Sequence, residues 1–140
     1  MLEIATNHSK NGVFQKDIAS RQEISVKYLD HIIQALKTAM LIRNVKGKKS
    51  GYILCCNPVD ITLYDIYKAF EPSICIVDCI SNRYDCNRSG MCAAQGVYGE
   101  LNQMIIDFLS SVTLQDLVDK NESLDLSLTK KSPSEMQDTI

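Results

Sequence analysis

Cys79, Cys86 and Cys92 are separated by six and five residues in SICIVDCISNRYDCNRSGMC, a stretch rich in Ser, Asn, Asp and Gly. That composition reads as a loop rather than a core segment. Thiolates are soft ligands, and a loop that wraps a metal centre from several directions suits an iron-sulfur cluster or zinc. Zinc sites usually show tight C-x2-C knuckles, which this stretch lacks, although Cys75 could complete a set of four thiolates. The wide gaps favour a cluster, of 2Fe-2S or 4Fe-4S type, with Cys79, Cys86 and Cys92 as candidate ligands. The alternative is that these are small hydrophobes packed against a helix, since cysteine is among the most buried residue types. Their charged and polar neighbours argue against it. Cys55 and Cys56, next to Asn57-Pro58, and Cys75, in the apolar run Ile74-Cys75-Ile76-Val77, read instead as packing residues.

The elements before this loop have the pattern of a reading head. Gln15 to Gln22 forms a short helix around the inward pair Ile18 and Ala19, and a break follows at Glu23-Ile24-Ser25. Ser25 is a good N-cap for a longer helix whose Leu29, Ile32, Ile33, Leu36 and Met40 share one face. Its outward face carries Lys27, Tyr28, His31, Gln34 and Lys37. Two helices joined by a tight turn make a helix-turn-helix, whose second helix can enter the DNA major groove. An ordinary helical hairpin would look the same, but the next segment separates the two. Leu41 to Val45 reads as a strand, KGKKSG as a basic turn and Tyr52 to Leu54 as a returning strand, which together form a wing. Lys46, Lys48 and Lys49 suit a hairpin tip lying along phosphates. The candidate DNA contacts are Ser25, Lys27 and Tyr28 on the second helix and these three lysines.

The charge distribution agrees with that division. Residues 1–54 hold nine Lys or Arg against four Asp or Glu, and residues 55–140 hold six against thirteen, so a +5 half precedes a −7 half. Phosphate neutralisation by Lys and Arg supplies most non-specific DNA affinity. At 140 residues the chain can bury one core without disulfide staples. It shows neither a secretory signal nor an apolar run of the roughly 20 residues that a membrane span needs, so a soluble, cytoplasmic protein with reduced thiols is expected. No nucleophile-base pair, phosphate-binding Gly loop or carboxylate couple stands out, and an enzyme is not expected.

Between and after these parts, Thr62 with Asp65 resembles a capping box and opens a helix to about Glu71, which Pro72 ends. Past the loop, Val97, Leu101, Met104, Ile105, Phe108, Leu109 and Val112 make one apolar stripe on a long helix. Thr113 caps a short further helix to about Lys120, and residues 121–140 read as a disordered tail. The fold class is mainly α, α+β in detail: a winged helix-turn-helix region at 1–58 and a cysteine loop with a long helix at 59–120.

Taken together, these segments resemble the Rrf-type family of bacterial winged-helix regulators. The resemblance covers KDIASRQEISVKYLDHIIQALKTAMLIRNVKGKKSGYIL, NPVDITLYDIYKAFE, and VDC with the two later cysteines. It implies a transcription regulator that senses redox state, nitric oxide or iron-sulfur status through a cluster on Cys79, Cys86 and Cys92. It also implies a homodimer paired through the long helix, reading a near-palindromic operator on double-stranded DNA. One type of relative takes a further ligand from a histidine three residues beyond its last cysteine, where this chain has Gln95. Relatives carry a longer basic segment before the part that MLEIA matches, so the first part of their amino-terminal helix is expected to be missing here. Two other readings stay open: a metal-binding or electron-carrying protein with the helix-turn-helix as scaffold, and a zinc- or thiol-based repressor without iron.

Overall fold

A computed structural model describes residues 1–7, 9–47, 50–82 and 85–129. It contains six α-helices and one two-stranded sheet among the described residues: α1 Leu2–Ala5, α2 Gln15–Arg21, α3 Val26–Thr38, β1 Ile42–Asn44, β2 Tyr52–Leu54, α4 Leu63–Lys68, α5 Ala93–Ser111 and α6 Leu114–Thr129. This is the expected, mostly helical winged-helix architecture.

The ends of α2 and α3 are built alike. Ile24 N donates to Ala19 O at 3.1 Å and Glu23 N to Ser20 O at 3.4 Å; one helix later, Leu41 N donates to Leu36 O and Met40 N to Lys37 O, both at 3.0 Å. This double closure is a Schellman motif, which needs a left-handed residue just past the helix. Glu23 (φ 52°) and Met40 (φ 57°) supply it although neither is glycine. The start of α3 is as expected, with Ser25 Oγ accepting from Tyr28 N at 3.1 Å. Of the predicted inward face, Leu29, Ile33 and Leu36 are buried and Ile32 is half-buried. Met40 is instead 71% exposed, because the left-handed turn takes it off the helical stripe.

In the wing, Ile42 pairs with Leu54, Arg43 with Ile53 and Asn44 with Tyr52, antiparallel. A third edge comes from the segment before α2: Val13 exchanges both backbone hydrogen bonds with Tyr52, at 3.0 and 2.8 Å, and Gly51 N donates to Asn11 O at 2.8 Å. The approach is close enough to require glycine twice. A Cβ on Gly12, whose φ is 71°, would sit 2.7 Å from Tyr52 O, and one on Gly51 would sit 2.6 Å from the Val13 backbone.

One buried cluster joins Ile4, Val13, Ile18, Ala19, Leu29, Ile33, Leu36, Leu41 and Ile42 with Ile61 and Leu114 from beyond the wing. Leu114 is completely buried. It is held there by backbone pairing between two similar sequences, ITLYD at 61–65 and VTLQD at 112–116: Leu114 N donates to Ile61 O at 2.7 Å and Leu63 N to Val112 O at 2.9 Å. Each Thr also caps its own helix. Asp65 N donates to Thr62 Oγ1 and Thr62 N to Asp65 Oδ2, a full capping box, and Thr113 and Asp116 make the same exchange.

Two helix ends differ from expectation. α4 ends at Lys68, and its last turn tightens, with Phe70 N and Glu71 N both donating to Tyr67 O, before Pro72. α6 does not stop near Lys120 but runs to Thr129, helped by side-chain bonds one turn apart, Gln115 to Asp119 and Asn121 to Asp125. The rest of the expected tail, residues 130–140, lies outside the described residues.

Two outcomes follow from this packing. Gly51→Ala forces Val13 away from the wing and lowers the denaturant-derived stability by about 1–3 kcal/mol, as overpacking does. Burial pushes the Asp65 carboxyl up, but the hydrogen bonds from Thr62 and the nearby Lys68 outweigh it and hold the group below the ordinary carboxylate range. The Thr113 amide and hydroxyl do the same for Asp116. Both carboxylates therefore stabilise the fold above the unfolded-state carboxylate range, and that contribution is lost as pH falls through the lowered folded values. Asp65→Asn with Asp116→Asn should flatten the acidic decline in Tm measured from pH 7 to pH 3.

Candidate nucleic-acid interface and metal centre

α3 presents Lys27, Tyr28, His31 and Gln34 on an exposed face, with Tyr28 60% exposed, and Lys37 half-buried beside them. Ser25 is exposed at the head of that helix, its oxygen used as the cap acceptor and its proton free to donate outward. On the wing Lys46 is exposed, while Lys48 and Lys49 lie outside the described residues. Arg43 was not among the expected contacts, yet it too is exposed, because Ile42 takes the buried side of a three-residue strand whose next two positions face water. The period-2 alternation of a strand sets Arg43 on the face opposite the buried Ile42.

The cysteine segment is splinted to α5 by two amide side chains. Asn102 accepts from Ile76 N at 3.1 Å through Oδ1 and donates to Ile74 O at 2.9 Å through Nδ2. Gln95 donates to Cys79 O at 2.7 Å and accepts from Gly90 N at 3.3 Å. Gln95 and Asn102 are seven residues apart, two turns along one helix face. Cys79 sits on a 3-10 turn at Asp78–Ile80, the carbonyl of Cys86 accepts from Ser89 N, and Cys92 is the N-cap of α5.

All three are half-buried free thiols, as is Cys55. Cys75 and Cys56 are exposed, contrary to the packing role expected of them. At Cys75 the reason is the splint: Ile74 takes the buried position, Asn102 pins the backbone on either side, and Cys75 Sγ donates to Val77 O at 3.3 Å instead of entering the core.

As a donor set, three half-buried thiols on one hydrogen-bonded loop fit a soft metal centre. Among the described residues, however, no three His, Cys, Asp or Glu side chains gather about one point. The loop carries the ligand chemistry without the convergence, a common state where binding energy itself orders the ligands.

The long helix has two apolar faces rather than one. Ile105 and Leu109 are half-buried with α4 alongside, whereas Val97, Leu101, Met104 and Phe108 remain 44–66% exposed; Val112, expected on the same stripe, lies just past the helix end, where its extended backbone pairs with Leu63. No helix among the described residues is long and apolar enough to cross a membrane.

A protein-family model described as "Rrf2: Iron-dependent Transcriptional regulator" matches residues 1–120. The transcriptional regulator IscR of Vibrio vulnificus is 31% identical over 127 residues, covering 91% of this chain and 75% of the relative. Protein rrf2 of Nitratidesulfovibrio vulgaris is 36% identical over 118 residues, 84% of this chain and 79% of its own. Among solved structures, the T. potens IscR superposes with TM-score 0.67 at 27% identity, covering 96% of this chain and 85% of the other. CymR, described as the global cysteine regulator of B. subtilis, gives TM-score 0.67 at 26% identity, with 85% and 87% covered.

The difference in thiol exposure has a direct readout. A soft alkylating reagent applied to the metal-free protein labels Cys56 and Cys75 first and Cys55, Cys79, Cys86 and Cys92 later, as peptide mass spectrometry over a time course reports; equal rates at all six would contradict the geometry.

Proposed function

The chain belongs to the Rrf2 family of DNA-binding transcriptional regulators, and on that premise we propose that it is a cytoplasmic homodimer that reads a near-palindromic operator and senses redox, nitric oxide or iron-sulfur status through Cys79, Cys86 and Cys92. The observation that carries the reading is the splint: the helix that holds the three-thiol loop through Gln95 and Asn102 also bears the outward stripe of Val97, Leu101, Met104 and Phe108. A twin copy of that stripe covers those apolar side chains, and the pair sets the distance between two recognition helices. Residues 1–58 serve as the reading region and 59–120 as the sensing and pairing region.

Cys79, Cys86 and Cys92 would hold the cluster, and a bound iron-sulfur cluster supplies a centre sensitive to oxidation and nitrosylation. The protein's own part is mechanical. Drawing the three thiols together would load the Gln95 bond to the Cys79 carbonyl at the start of α5, where Cys92 is the residue that precedes the first turn. The far end of α5 leads into Leu114 beneath the reading head, so a tilt of this helix shifts the population between DNA-competent and incompetent dimers. Lys27 and Tyr28 contact bases, Ser25 donates to the backbone, and Lys46 with Lys48 and Lys49 neutralises phosphates.

One observation favours a second reading, a zinc- or thiol-based repressor: six thiols are free, two of them exposed, and no three donors converge among the described residues.

Anaerobic purification separates the readings. Brown protein with iron and acid-labile sulfide, both abolished by Cys86→Ala, is the expected result; colourless protein with stoichiometric zinc favours the second. Titration with duplex DNA across salt concentrations tests the reading head. Lys46→Ala should weaken binding to all duplexes and lower the slope of log affinity against log salt by about one. A salt-insensitive or absent complex for the metal-loaded protein would leave only a metal-binding or electron-carrying role.

A further inference from the structure

Gln15, the first residue of α2, is the only described side chain that hydrogen-bonds to both α3 and the wing. Its Nε2 donates to the Asp30 carboxylate and to Val26 O at 3.4 Å, both on α3. Its Oε1 accepts from the Tyr52 hydroxyl, on β2, at 3.3 Å. Asp30 lies three residues from Lys27 on α3, and Tyr52 is the wing residue that exchanges both backbone bonds with Val13.

We propose that Gln15 is a positioning residue for DNA reading: its amide fixes the recognition helix relative to the wing, so that base contacts from one and phosphate contacts from the other are made in a single register. This rests on the DNA-reading role above and adds a residue that touches neither bases nor cluster ligands. An amide suits the task because one planar group donates to a carboxylate and accepts from a phenol at once. Glutamate in its place would set a second carboxylate against Asp30, and leucine would make neither bond. The wing is only two short strands, which are marginal alone, so its orientation depends on what holds its root.

The test uses the full chain with Gln15→Leu and Tyr52→Phe, and a duplex that the unsubstituted protein selects from a randomised pool. Gln15→Leu should lose about tenfold or more in affinity for the selected duplex, the scale of a lost hydrogen bond to a charged group, while affinity for an unrelated duplex of equal length stays within about twofold. Tyr52→Phe should reproduce part of the loss, and the double variant should lose no more than Gln15→Leu alone, since both act through one amide. Equal losses on both duplexes would assign Gln15 a merely structural part and overturn the proposal, as would unchanged selectivity. Amide exchange is an arm independent of DNA: protection at Val13 and Tyr52 should fall about tenfold in Gln15→Leu while that of Ile33 and Leu36 holds. Unchanged protection at the wing root overturns the clasp itself. If the unsubstituted protein selects no duplex yet wing protection falls as expected, the DNA-reading role is what has failed, and the clasp remains without the register it was proposed to set.

Discussion

The burial of Leu114 beneath the reading head is the constraint on which the rest of the molecule depends. A helix-turn-helix of two short helices and a small wing cannot bury enough apolar surface alone, and α1 adds only one turn. The missing part of the core is delivered from far along the chain, by Ile61 and Leu114. Their placement is set by backbone pairing between two TL-x-D segments, whose threonines each cap a helix while their neighbours pair. Four elements are thus oriented by one short antiparallel contact, and the reading head cannot tilt without moving the junction between α5 and α6.

From that junction α5 extends outward with a division of labour around its circumference. One face lies against α4, a second holds the cysteine segment through Gln95 and Asn102, and a third exposes Val97, Leu101, Met104 and Phe108. In the proposed sensing role, a rigid helix with three occupied or available faces would carry a change on one of them to the others. The charge is divided between the two parts as well, with nine Lys or Arg against four Asp or Glu in residues 1–54 and six against thirteen beyond.

The thiols divide the same way. Cys79, Cys86 and Cys92 are half-buried, and the backbone at Cys79 and at Gly90 is hydrogen-bonded to the Gln95 side chain. Gln95 bridges Cys79 and Gly90, and Cys75 and Cys56 are exposed to solvent.

Much of this could be read from the residues in order. Period and caps are local, so α2, α3 with its Ser25 cap, the wing strands, the Thr62 box and the existence of a long α5 followed from spacing alone. What spacing could not decide is which part of an apolar run meets a partner. The stripe on α5 read as one face and is two, Met40 left its stripe at a left-handed turn, and Cys75 in an apolar run is exposed because Asn102, 27 residues later, pins the backbone around it. The same holds for Gln15 and for Gly12 against Gly51: their roles come from groups tens of residues away, and only the folded chain brings those groups within hydrogen-bond or van der Waals reach. Helix and strand formation obeys short-range geometry and is written along the chain, whereas the hydrogen bonds that orient one element on another exist only once the core has closed around Leu114.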